Sequence, residues 1–589
     1  MSKTGPAHCP ENPVLDSAMP TSASSVSQAL AAELMSSCTW AFGLAGNANS
    51  HFIATLSAAG FPFTSVRHES AAVAAADAFH RAGGGVAIAT TTCGAGFTNT
   101  ISTLAEAKAA RIPLVYVAGT HPAQPRPFDL DQSALLDALQ VCYLTASPSS
   151  VRADARIAVE LAQFLREPVV IQLPFDIQEA PLIDDGETPK NVHLLDATTT
   201  GAQHASSAGL QRPLMATGGA ALDTPTTTVE EIAAVLRASR RPLIVVGRGV
   251  VLSGTEKIVD SLAERLGALV MHSAMARHAL DSPWELGTVG GFAHSWQVEL
   301  AQQADVVLVL GASFNVFQTR GGNMFAPSSH IIHIVDEPHP ASQHVDKRLF
   351  SQLEEVLPVL EQLLVAQPAP GRRWREELAT PPQPMPAPPA TTCADGRLDP
   401  RACLAQLNRI VPSARAVCTD GGHFLGWVPK YLDVPGPHSQ VIVGTAIQSI
   451  GMGMGSLVGL AAARPDDYCI LVAGDGGALM GLADLPAALA TLRRGAIVIM
   501  NDAAYGAELH QYAGAGLDTS SMEIADYDFA AVGAAFGARG FSVRSQADLQ
   551  QLEDYYAHLD PSAEEVAVID FKISRLVVAD FIKEILAKR

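Results

Sequence analysis

The strongest constraint in this sequence is a pair of apolar segments that each end in acidic residues. The segment ILVAGDGGALMG, residues 470–481, carries Asp475 at the end of its apolar run. The segment IVIMNDAAYGAE, residues 497–508, carries Asn501–Asp502 at the same point, about 26 residues later. Such runs, separated by a helix-length stretch, predict neighbouring parallel strands. We therefore expect both acidic residues at one edge of a buried sheet.

This arrangement suits a divalent cation that also binds an anion. Mg²⁺ prefers hard oxygen ligands and usually shares them with phosphate oxygens. Asp475 supplies one carboxylate, the pair Asn501–Asp502 a second side-chain oxygen, and a backbone carbonyl near Ala504 a third. Gly476 and Gly477 let the backbone approach a ligand, and the start of the following helix favours an anion. The alternative is an ordinary turn followed by a polar strand end.

A second signal lies about four hundred residues earlier. The segment from Phe63 to Pro122 alternates strand-like and helix-like stretches around a Gly-rich turn. Glu69 stands at the start of its first helix, where the helix dipole favours a carboxylate. The Ala-rich helix after it predicts close packing that buries this side chain. Taken alone, Glu69 is equally an ordinary charge at a helix N-terminus.

Together the two segments resemble the thiamin diphosphate-dependent enzymes of the decarboxylase and acetohydroxyacid synthase family. The family carries GDG followed at this spacing by Asn-Asn; here Asp502 replaces the second Asn, which keeps an oxygen ligand and adds negative charge. The stretches RHESAAVAAADAFHRA and CGAGFTNTISTLAEA also match the family. The resemblance covers nearly the whole chain. It implies an α/β protein of three doubly wound parallel-sheet domains, named Pyr, middle and PP.

The resemblance also implies a role for individual residues. Glu69 would hydrogen-bond N1′ of the aminopyrimidine and promote removal of the thiazolium C2 proton. Ile450 would hold the cofactor in its bent shape, and the carbonyl of Gln448 would accept from the 4′-amino group. The implied cofactor-binding set is Glu69, Gly422, His423, Gln448, Ile450, Gly474, Asp475, Gly476, Gly477, Asp502 and Tyr505, and the implied Mg²⁺ ligands are Asp475, Asp502 and Ala504.

The order of strand-like, helix-like and Pro-rich stretches predicts three domains and two connections. The first residues are polar and Pro/Ser-rich and lack the apolar segment of a signal peptide. The predicted divisions are a flexible leader at 1–25, the Pyr domain at 26–185, a linker at 186–228, the middle domain at 229–367, a Pro-rich linker at 368–398 and the PP domain at 399–589.

Composition limits the partners of this protein. The chain has 589 residues and a formal net charge of −20, which argues against nucleic acid and anionic membrane surfaces. It contains no long charge-free apolar run, so we predict no transmembrane helix. Its eight cysteines lack metal-binding spacing. They are best interpreted as reduced residues of a cytoplasmic protein.

Four positions are candidates for contact with the substrate. The loop containing Asn47 follows the first strand and would form a polar wall of the substrate pocket. The alternative is an ordinary turn, in which Asn and Gly are common. Gln132 has the family spacing from Glu69 and would hydrogen-bond the substrate; the alternative is a polar residue at a helix start. His510 is either a pocket acid or base or a helix-surface histidine. Gln511 stands where the synthases carry a tryptophan, which argues against true acetolactate synthesis.

The resemblance leaves two questions open, namely whether the protein binds FAD and how many chains associate. The family's synthases and pyruvate oxidases bind FAD in the middle domain. The run GASFNVFQTRGGN, residues 311–323, lacks the paired Asp of the synthases and moves the arginine to Arg320. We therefore expect no tightly bound FAD. In the family the active site lies between subunits, which implies a homodimer or homotetramer.

The resulting hypothesis is an acetolactate synthase-like carbon–carbon lyase or carboligase that depends on thiamin diphosphate and Mg²⁺. It would act on a 2-ketoacid or another dicarbonyl through an enamine intermediate. The first alternative is a 2-ketoacid decarboxylase that releases an aldehyde. An alternative of another class is a non-catalytic regulatory subunit that binds thiamin diphosphate, which the intact Glu69 and GDG sequence disfavour.

Overall fold

The computed structural model describes residues 25–183, 192–193, 227–336, 344–366, 374–382, 389–560 and 562–586. These residues form three α/β units, each built on a mainly parallel sheet with interleaved helices. The predicted fold class is confirmed. Long apolar runs such as VVLVL and GAIVIMN are buried along their whole length, because helices cover both faces of each sheet.

The first unit contains a sheet of order β2-β1-β3-β4-β6-β5-β7. Its strands are Ala41–Gly43 (β1), Phe63–Ser65 (β2), Ile88–Thr91 (β3), Leu114–Thr120 (β4), Cys142–Thr145 (β5), Pro168–Pro174 (β6) and Val192–His193 (β7). Its helices are Val26–Met35 (α1), Ser50–Ala58 (α2), Glu69–Arg81 (α3), Ala95–Thr98 (α4), Ile101–Ala109 (α5), Gln132–Leu139 (α6) and Val151–Leu165 (α7). Only β7 pairs antiparallel among the described strands.

The second unit contains a parallel sheet of order β10-β9-β8-β11-β12-β13. Its strands are Pro242–Val246 (β8), Leu269–His272 (β9), Glu285–Thr288 (β10), Val306–Leu310 (β11), His330–Val335 (β12) and Lys347–Phe350 (β13). Its helices are Val229–Ala238 (α8), Arg248–Leu252 (α9), Glu256–Leu266 (α10), Ser295–Ala301 (α11), Leu353–Ala366 (α12) and Trp374–Leu378 (α13).

The third unit contains a parallel sheet of order β15-β14-β16-β17-β19-β18. Its strands are Arg415–Thr419 (β14), Gln440–Ile442 (β15), Tyr468–Gly474 (β16), Gly495–Asn501 (β17), Arg539–Val543 (β18) and Val566–Lys572 (β19). Its helices are Pro400–Ile410 (α14), Val428–Tyr431 (α15), Gly453–Ala463 (α16), Asp475–Met480 (α17), Leu485–Thr491 (α18), Gly506–Ala513 (α19), Phe529–Ala535 (α20), Gln546–His558 (α21) and Asp580–Leu586 (α22).

Helices α3 and α16 pack against each other and join the first and third units into one apolar core. The facing residues are small, chiefly alanines on α3 and glycines on α16. A Cβ on Gly459 would overlap the carbonyl oxygen of Ala75, and a Cβ on Gly455 would lie 2.8 Å from Cα of Ala71. The two backbones are therefore in direct contact, and glycine is required where they cross.

The predicted domain divisions remain predictions, because much of the connecting chain lies outside the described residues. Residues 1–24 of the predicted leader and most of the 186–228 linker belong to that part. Within the second range, β7 adds a short strand to the first sheet. Within the predicted 368–398 linker, helix α13 buries Trp374 against the second unit.

Two further expectations concern the whole chain. None of the described helices is long and apolar enough to cross a membrane. The seven cysteines that the structure describes all carry free thiols. Burial raises the pKa of several of them, including Cys38 to about 12. Buried thiols with raised pKa values are poor nucleophiles, which agrees with a structural role.

The α3–α16 contact generates a stability prediction. Gly459→Ala is expected to destabilise the protein by about 1–3 kcal/mol, because its methyl group must push two packed backbones apart. Gly436→Ala is the matched control, since a Cβ there meets no atom within 4 Å. Urea unfolding followed by circular dichroism measures both variants. Equal unfolding midpoints for the two would contradict the close contact.

Candidate active site

The candidate site lies at the carboxyl edge of the third sheet. Strands β14, β16 and β17 are neighbours and run parallel. Their ends lead directly into Asp420, Asp475 and Asp502, which are all buried. Ligands of open parallel sheets bind at this edge, where the loops leave a crevice. The fold thus brings together the two acidic residues that the sequence pairs, and adds Asp420.

The surroundings of Asp475 and Asp502 disfavour their negative charge. Burial raises the pKa of Asp475 to about 6. Burial and, next, the charge of Asp475 raise the pKa of Asp502 to about 7, while Arg575 acts in the opposite direction. Oδ2 of Asp502 is buried and has no hydrogen-bond partner among the described residues. This donor set fits a divalent cation with oxygen ligands.

The turn after β17 presents backbone groups beside the two carboxylates. The N–H of Ala504 donates to Oδ2 of Asp475 at 3.1 Å. Ala503 has a φ of 58°, a left-handed conformation that costs roughly 1–2 kcal/mol for a residue other than glycine. Arg575 stabilises this conformation, because its guanidinium donates to the carbonyl oxygens of Asp502 and Ala503. The turn is therefore held rigidly next to the predicted metal position.

Asn501, the other member of the Asn-Asp pair, points into the domain. Its Nδ2 donates to Oδ1 of Asp570 at 3.0 Å and to the carbonyl oxygen of Tyr527 at 3.1 Å. Its Oδ1 accepts from the N–H of Ala503 at 3.1 Å. Because these bonds engage both ends of the amide, Asn501 stabilises the end of the strand. A side-chain oxygen for a metal would come from Asp502.

A cavity of about 720 Å³ opens beside these carboxylates. It is lined by the residues of the third unit that the resemblance assigns to the cofactor and metal: Gly422, His423, Gln448, Ile450, Gly474, Asp475, Gly476, Gly477, Asp502, Ala504 and Tyr505. Two glycines allow this packing. A Cβ on Gly476 would lie 2.6 Å from the ring of Tyr505, and a Cβ on Gly477 would lie 2.5 Å from Oδ2 of Asp420.

The predicted residues of the first unit lie apart from that cavity. Glu69 begins α3, is half-buried and accepts from Nδ2 of Asn99 at 2.9 Å. Among the described residues, those that line the cavity do not include Glu69, Gln132 or Asn47. Within one chain, Glu69 therefore does not face the cavity beside Asp475 and Asp502.

Gln132 and the loop that contains Asn47 form hydrogen bonds mainly with backbone groups of the first unit. Gln132 is buried; its Nε2 donates to the carbonyl oxygen of Gly119 at 3.0 Å, and its Oε1 accepts from the N–H of Gly94 at 3.2 Å. Asn47 is exposed. The neighbouring Asn49 is buried, and its amide bonds to backbone and side-chain groups around the turn.

Three family models match this chain. They are the N-terminal TPP binding domain of thiamine pyrophosphate enzymes over residues 24–141, the central domain over 229–363 and the C-terminal TPP binding domain over 420–571. The chain belongs to the thiamine pyrophosphate enzyme family. Thiamine pyrophosphate and thiamin diphosphate are the same cofactor. As a member of this family the protein is an enzyme, so the non-catalytic alternative is set aside.

Individual relatives agree with this assignment. The acetolactate synthase isozyme 1 large subunit of Escherichia coli is 25% identical over 508 residues, which cover 82% of this chain and 83% of that protein. Two solved decarboxylase structures share the fold. The 4-hydroxybenzoylformate decarboxylase of Rhodococcus jostii is 19% identical with a TM-score of 0.70, and covers 93% of this chain and 99% of its own. The benzoylformate decarboxylase of Polynucleobacter necessarius is 18% identical with a TM-score of 0.73, and covers 94% and 99%.

The thiamine pyrophosphate enzyme has two histidines beside Asp502. His423 is buried, and its Nε2 lies 3.7 Å from Oδ2 of Asp502. The ring of His510 meets that of His423 edge-on, with 5.2 Å between centroids. Burial and, next, the charge of His510 lower the pKa of His423 to about 3, and burial also lowers the pKa of His510. Both rings are therefore neutral at pH 7.

Glu106 is a site residue that sequence reasoning missed. It lies on α5 of the first unit and is fully buried. Its carboxylate accepts from the backbone N–H groups of Gly444 at 2.9 Å, Ala446 at 3.2 Å and Ile447 at 2.9 Å, just before the predicted cofactor residue Gln448. The signal in the sequence is an acidic residue inside the otherwise apolar helix segment LAEA.

Asp420 is the second missed residue. Its carboxylate accepts from the N–H groups of Gly421 at 2.8 Å, Gly451 at 3.0 Å and Met452 at 3.3 Å. Burial nevertheless raises the pKa of Asp420 to about 6. Together with Glu106 it holds the loop of Gln448, whose φ of 60° is left-handed. The T-D-G-G sequence was the available signal.

The cavity continues from the third unit into the second. Arg248, Ser313 and Asn315 of the second unit line this end, together with Arg111 of the first unit. Arg320 is the arginine of the segment that resembles the FAD-binding stretch of the synthases. Its side chain forms an ion pair with Glu584 of α22. The expectation that no FAD is tightly bound stays a prediction.

The Glu106 contacts predict an effect on the stability of the loop that contains Gln448. Glu106→Gln is expected to destabilise the protein by about 1–3 kcal/mol, because an amide oxygen replaces a charged acceptor of three buried N–H groups. Urea unfolding measures this change. Glu160→Gln, at an exposed position of α7, is the control and should stay within about 0.5 kcal/mol of the unsubstituted protein. Equal stability of both variants would argue against the role of Glu106.

The raised pKa of Asp502 predicts a pH dependence in the cation-free protein. The folded-state pKa lies near 7 and the unfolded-state pKa near 4, so the folded protein binds more protons between these values and loses stability as pH rises through this window. Asp502→Asn removes this loss. Its gain in thermal stability over the unsubstituted protein should grow from about pH 4 to pH 7 and then level off.

Addition of Mg²⁺ supplies the control for that measurement. Mg²⁺ should stabilise the unsubstituted protein at neutral pH and should stabilise Asp502→Asn less, because the variant lacks a charged ligand. A stability difference that does not change with pH would contradict the assigned environment of Asp502.

Proposed function

We propose that this enzyme is a carbon–carbon lyase or carboligase that depends on thiamin diphosphate and Mg²⁺ and acts on a 2-ketoacid or another dicarbonyl. The observation that carries the proposal is the buried pair Asp475 and Asp502 beside the cavity lined by Gln448 and Ile450. When bound, thiamin diphosphate supplies a nucleophilic carbon and an electron sink. The protein supplies position, charge and proton transfer.

The residues of the third unit would bind the metal and the diphosphate. Asp475, Asp502 and the carbonyl oxygen of Ala504 form an oxygen donor set suited to Mg²⁺. Two carboxylates near a diphosphate repel it unless a cation lies between them, so metal and cofactor should bind together. Ile450, half-buried at the cavity wall, would support the cofactor, and the backbone carbonyl of Gln448 would accept a hydrogen bond from its amino group.

Glu69 would hold a proton at N1′ of the aminopyrimidine. Its half-buried carboxylate at the start of α3 is accessible for this contact. Because Glu69 does not line the cavity of its own chain, the complete site would need the third unit of a second copy. We therefore propose a homodimer as the smallest active form, with a homotetramer built from two such pairs.

The substrate would meet Asn47, Gln132 and His510. Gln132 retains one amide hydrogen beyond its bond to Gly119, and this hydrogen would be donated to a substrate oxygen. His510, neutral at pH 7, would exchange a proton. We also propose a cytoplasmic location, on the basis of the free thiols.

Simple decarboxylation to an aldehyde is the second candidate. Gln511 and Glu508 line the cavity, in the segment where the sequence comparison expects the tryptophan of the synthases. A polar wall favours water or a proton donor at this position over a second, apolar ketoacid. The two solved structures that share the fold are both decarboxylases, which agrees with this alternative.

A substrate panel tests the proposed function. The purified protein, loaded with thiamin diphosphate and Mg²⁺, is incubated with 2-ketoacids and diketones, and CO₂ release and acyloin formation are measured. Carboligation of a 2-ketoacid predicts both CO₂ release and acyloin formation. The second candidate predicts CO₂ release without acyloin, because the product is an aldehyde. No turnover of any substrate, or turnover retained by Glu69→Ala, would overturn the proposal.

Mixing two inactive variants tests the shared site. Glu69→Gln and Asp475→Asn should each be inactive, because each disables one side of the site. After co-expression, random pairing should restore about one quarter of the activity, since half of the dimers are mixed and one of their two sites is intact. Each variant co-expressed with itself is the control. No recovery in the mixed sample would indicate a site within one chain.

A further inference from the structure

A cluster of three metal-ligand side chains adjoins the proposed magnesium position. His423 follows β14, Asp502 follows β17, and His510 lies on α19. One ligand atom from each residue lies within 4.8 Å of the others, so a single ion can contact all three. The residues come from three separate segments, and the fold alone brings them together.

Two atoms of this cluster are buried without a partner among the described residues: Oδ2 of Asp502 and Nε2 of His510. The Asp502 side chain is 3% exposed. A buried polar atom without a partner costs free energy, so such atoms in a native protein usually indicate a ligand or water. The oxygen donor set proposed for Mg²⁺ accounts for Asp502 but not for the unsatisfied nitrogen of His510.

The donor types identify the class of ligand. Imidazole nitrogen with one carboxylate suits Zn²⁺, Co²⁺ and related ions, whereas Mg²⁺ prefers oxygen alone. Gly506 keeps the space open, because a Cβ there would overlap the ring of His423 and lie 2.5 Å from Oδ2 of Asp502.

We propose that His423, Asp502 and His510 form a binding site for a first-row transition metal ion, which differs from the oxygen set of Asp475, Asp502 and Ala504 by its two histidine ligands. Three protein ligands leave coordination positions for water. Asp502 belongs to both sets, so the transition metal competes with Mg²⁺ for this carboxylate. The competition, though not the site itself, rests on the proposed function.

Cobalt titration tests the site. Full-length protein stripped of divalent ions and thiamin diphosphate is titrated with CoCl₂, and visible absorption and binding heat are recorded. We expect one ion per chain and the visible bands of Co²⁺ with nitrogen ligands. His510→Gln and His423→Gln should each weaken binding by at least about tenfold, as the loss of a ligand does.

His558→Gln is the matched control, because His558 is an exposed histidine at the end of α21. It should bind Co²⁺ as the unsubstituted protein does. Far-ultraviolet circular dichroism checks that each variant is folded; if a glutamine variant is misfolded, His510→Asn provides the same test. Absence of the bands in the unsubstituted protein, or equal affinity in a folded His510 variant, overturns the proposal.

A separate measurement distinguishes failure of this site from failure of the proposed function. Thiamin diphosphate and Mg²⁺ are added to metal-stripped protein, and the near-ultraviolet circular dichroism of the bound cofactor is followed. Cofactor binding without cobalt binding overturns the transition-metal site alone. Cobalt binding that depends on His510, with no cofactor binding, supports the site and overturns the proposed function instead.

Discussion

The contact between α3 and α16 is the constraint on which the site depends. It brings two helix backbones together through alanine and glycine, so the first and third units share one core. Helix α3 begins at Glu69, and α16 follows directly after the loop of Gln448 and Ile450. Small residues permit only a narrow range of separations. The positions of Glu69 and of the Gln448 loop are therefore determined by the same interface.

Hydrogen bonding separates the buried carboxylates into two classes. Glu106 and Asp420 each accept from three backbone N–H groups, and both hold the loop that precedes α16. By contrast, Oδ2 of Asp502 has no hydrogen-bond partner among the described residues. A carboxylate that accepts several backbone N–H groups stabilises a loop, whereas a buried carboxylate oxygen without a partner is a candidate ligand for a cation. The surroundings of each carboxylate thus separate a structural role from the proposed ligand role.

Other residues of the site depend on contacts that no local sequence pattern reports. Asn501 and Asp502 are adjacent in sequence, yet one bonds into the domain and the other faces the cavity. Glu106 joins a loop more than three hundred residues away, and no local pattern reports that contact. No local pattern relates His423 to His510, and the two rings meet beside Asp502 only where β14, β17 and α19 converge.

The α/β class and the parallel sheets could be predicted from the sequence, because apolar strand runs and short acidic or Gly-rich turns are local properties. The same local patterns predicted the residues of the third unit that line the cavity. Only the three-dimensional structure shows which carboxylates accept backbone hydrogen bonds and how the first and third units meet. It also shows that Glu69 lies outside the cavity of its own chain. These depend on packing between segments distant in sequence. Burial and hydrogen-bond partners, which establish the chemistry of a side chain, exist only once those segments have come together.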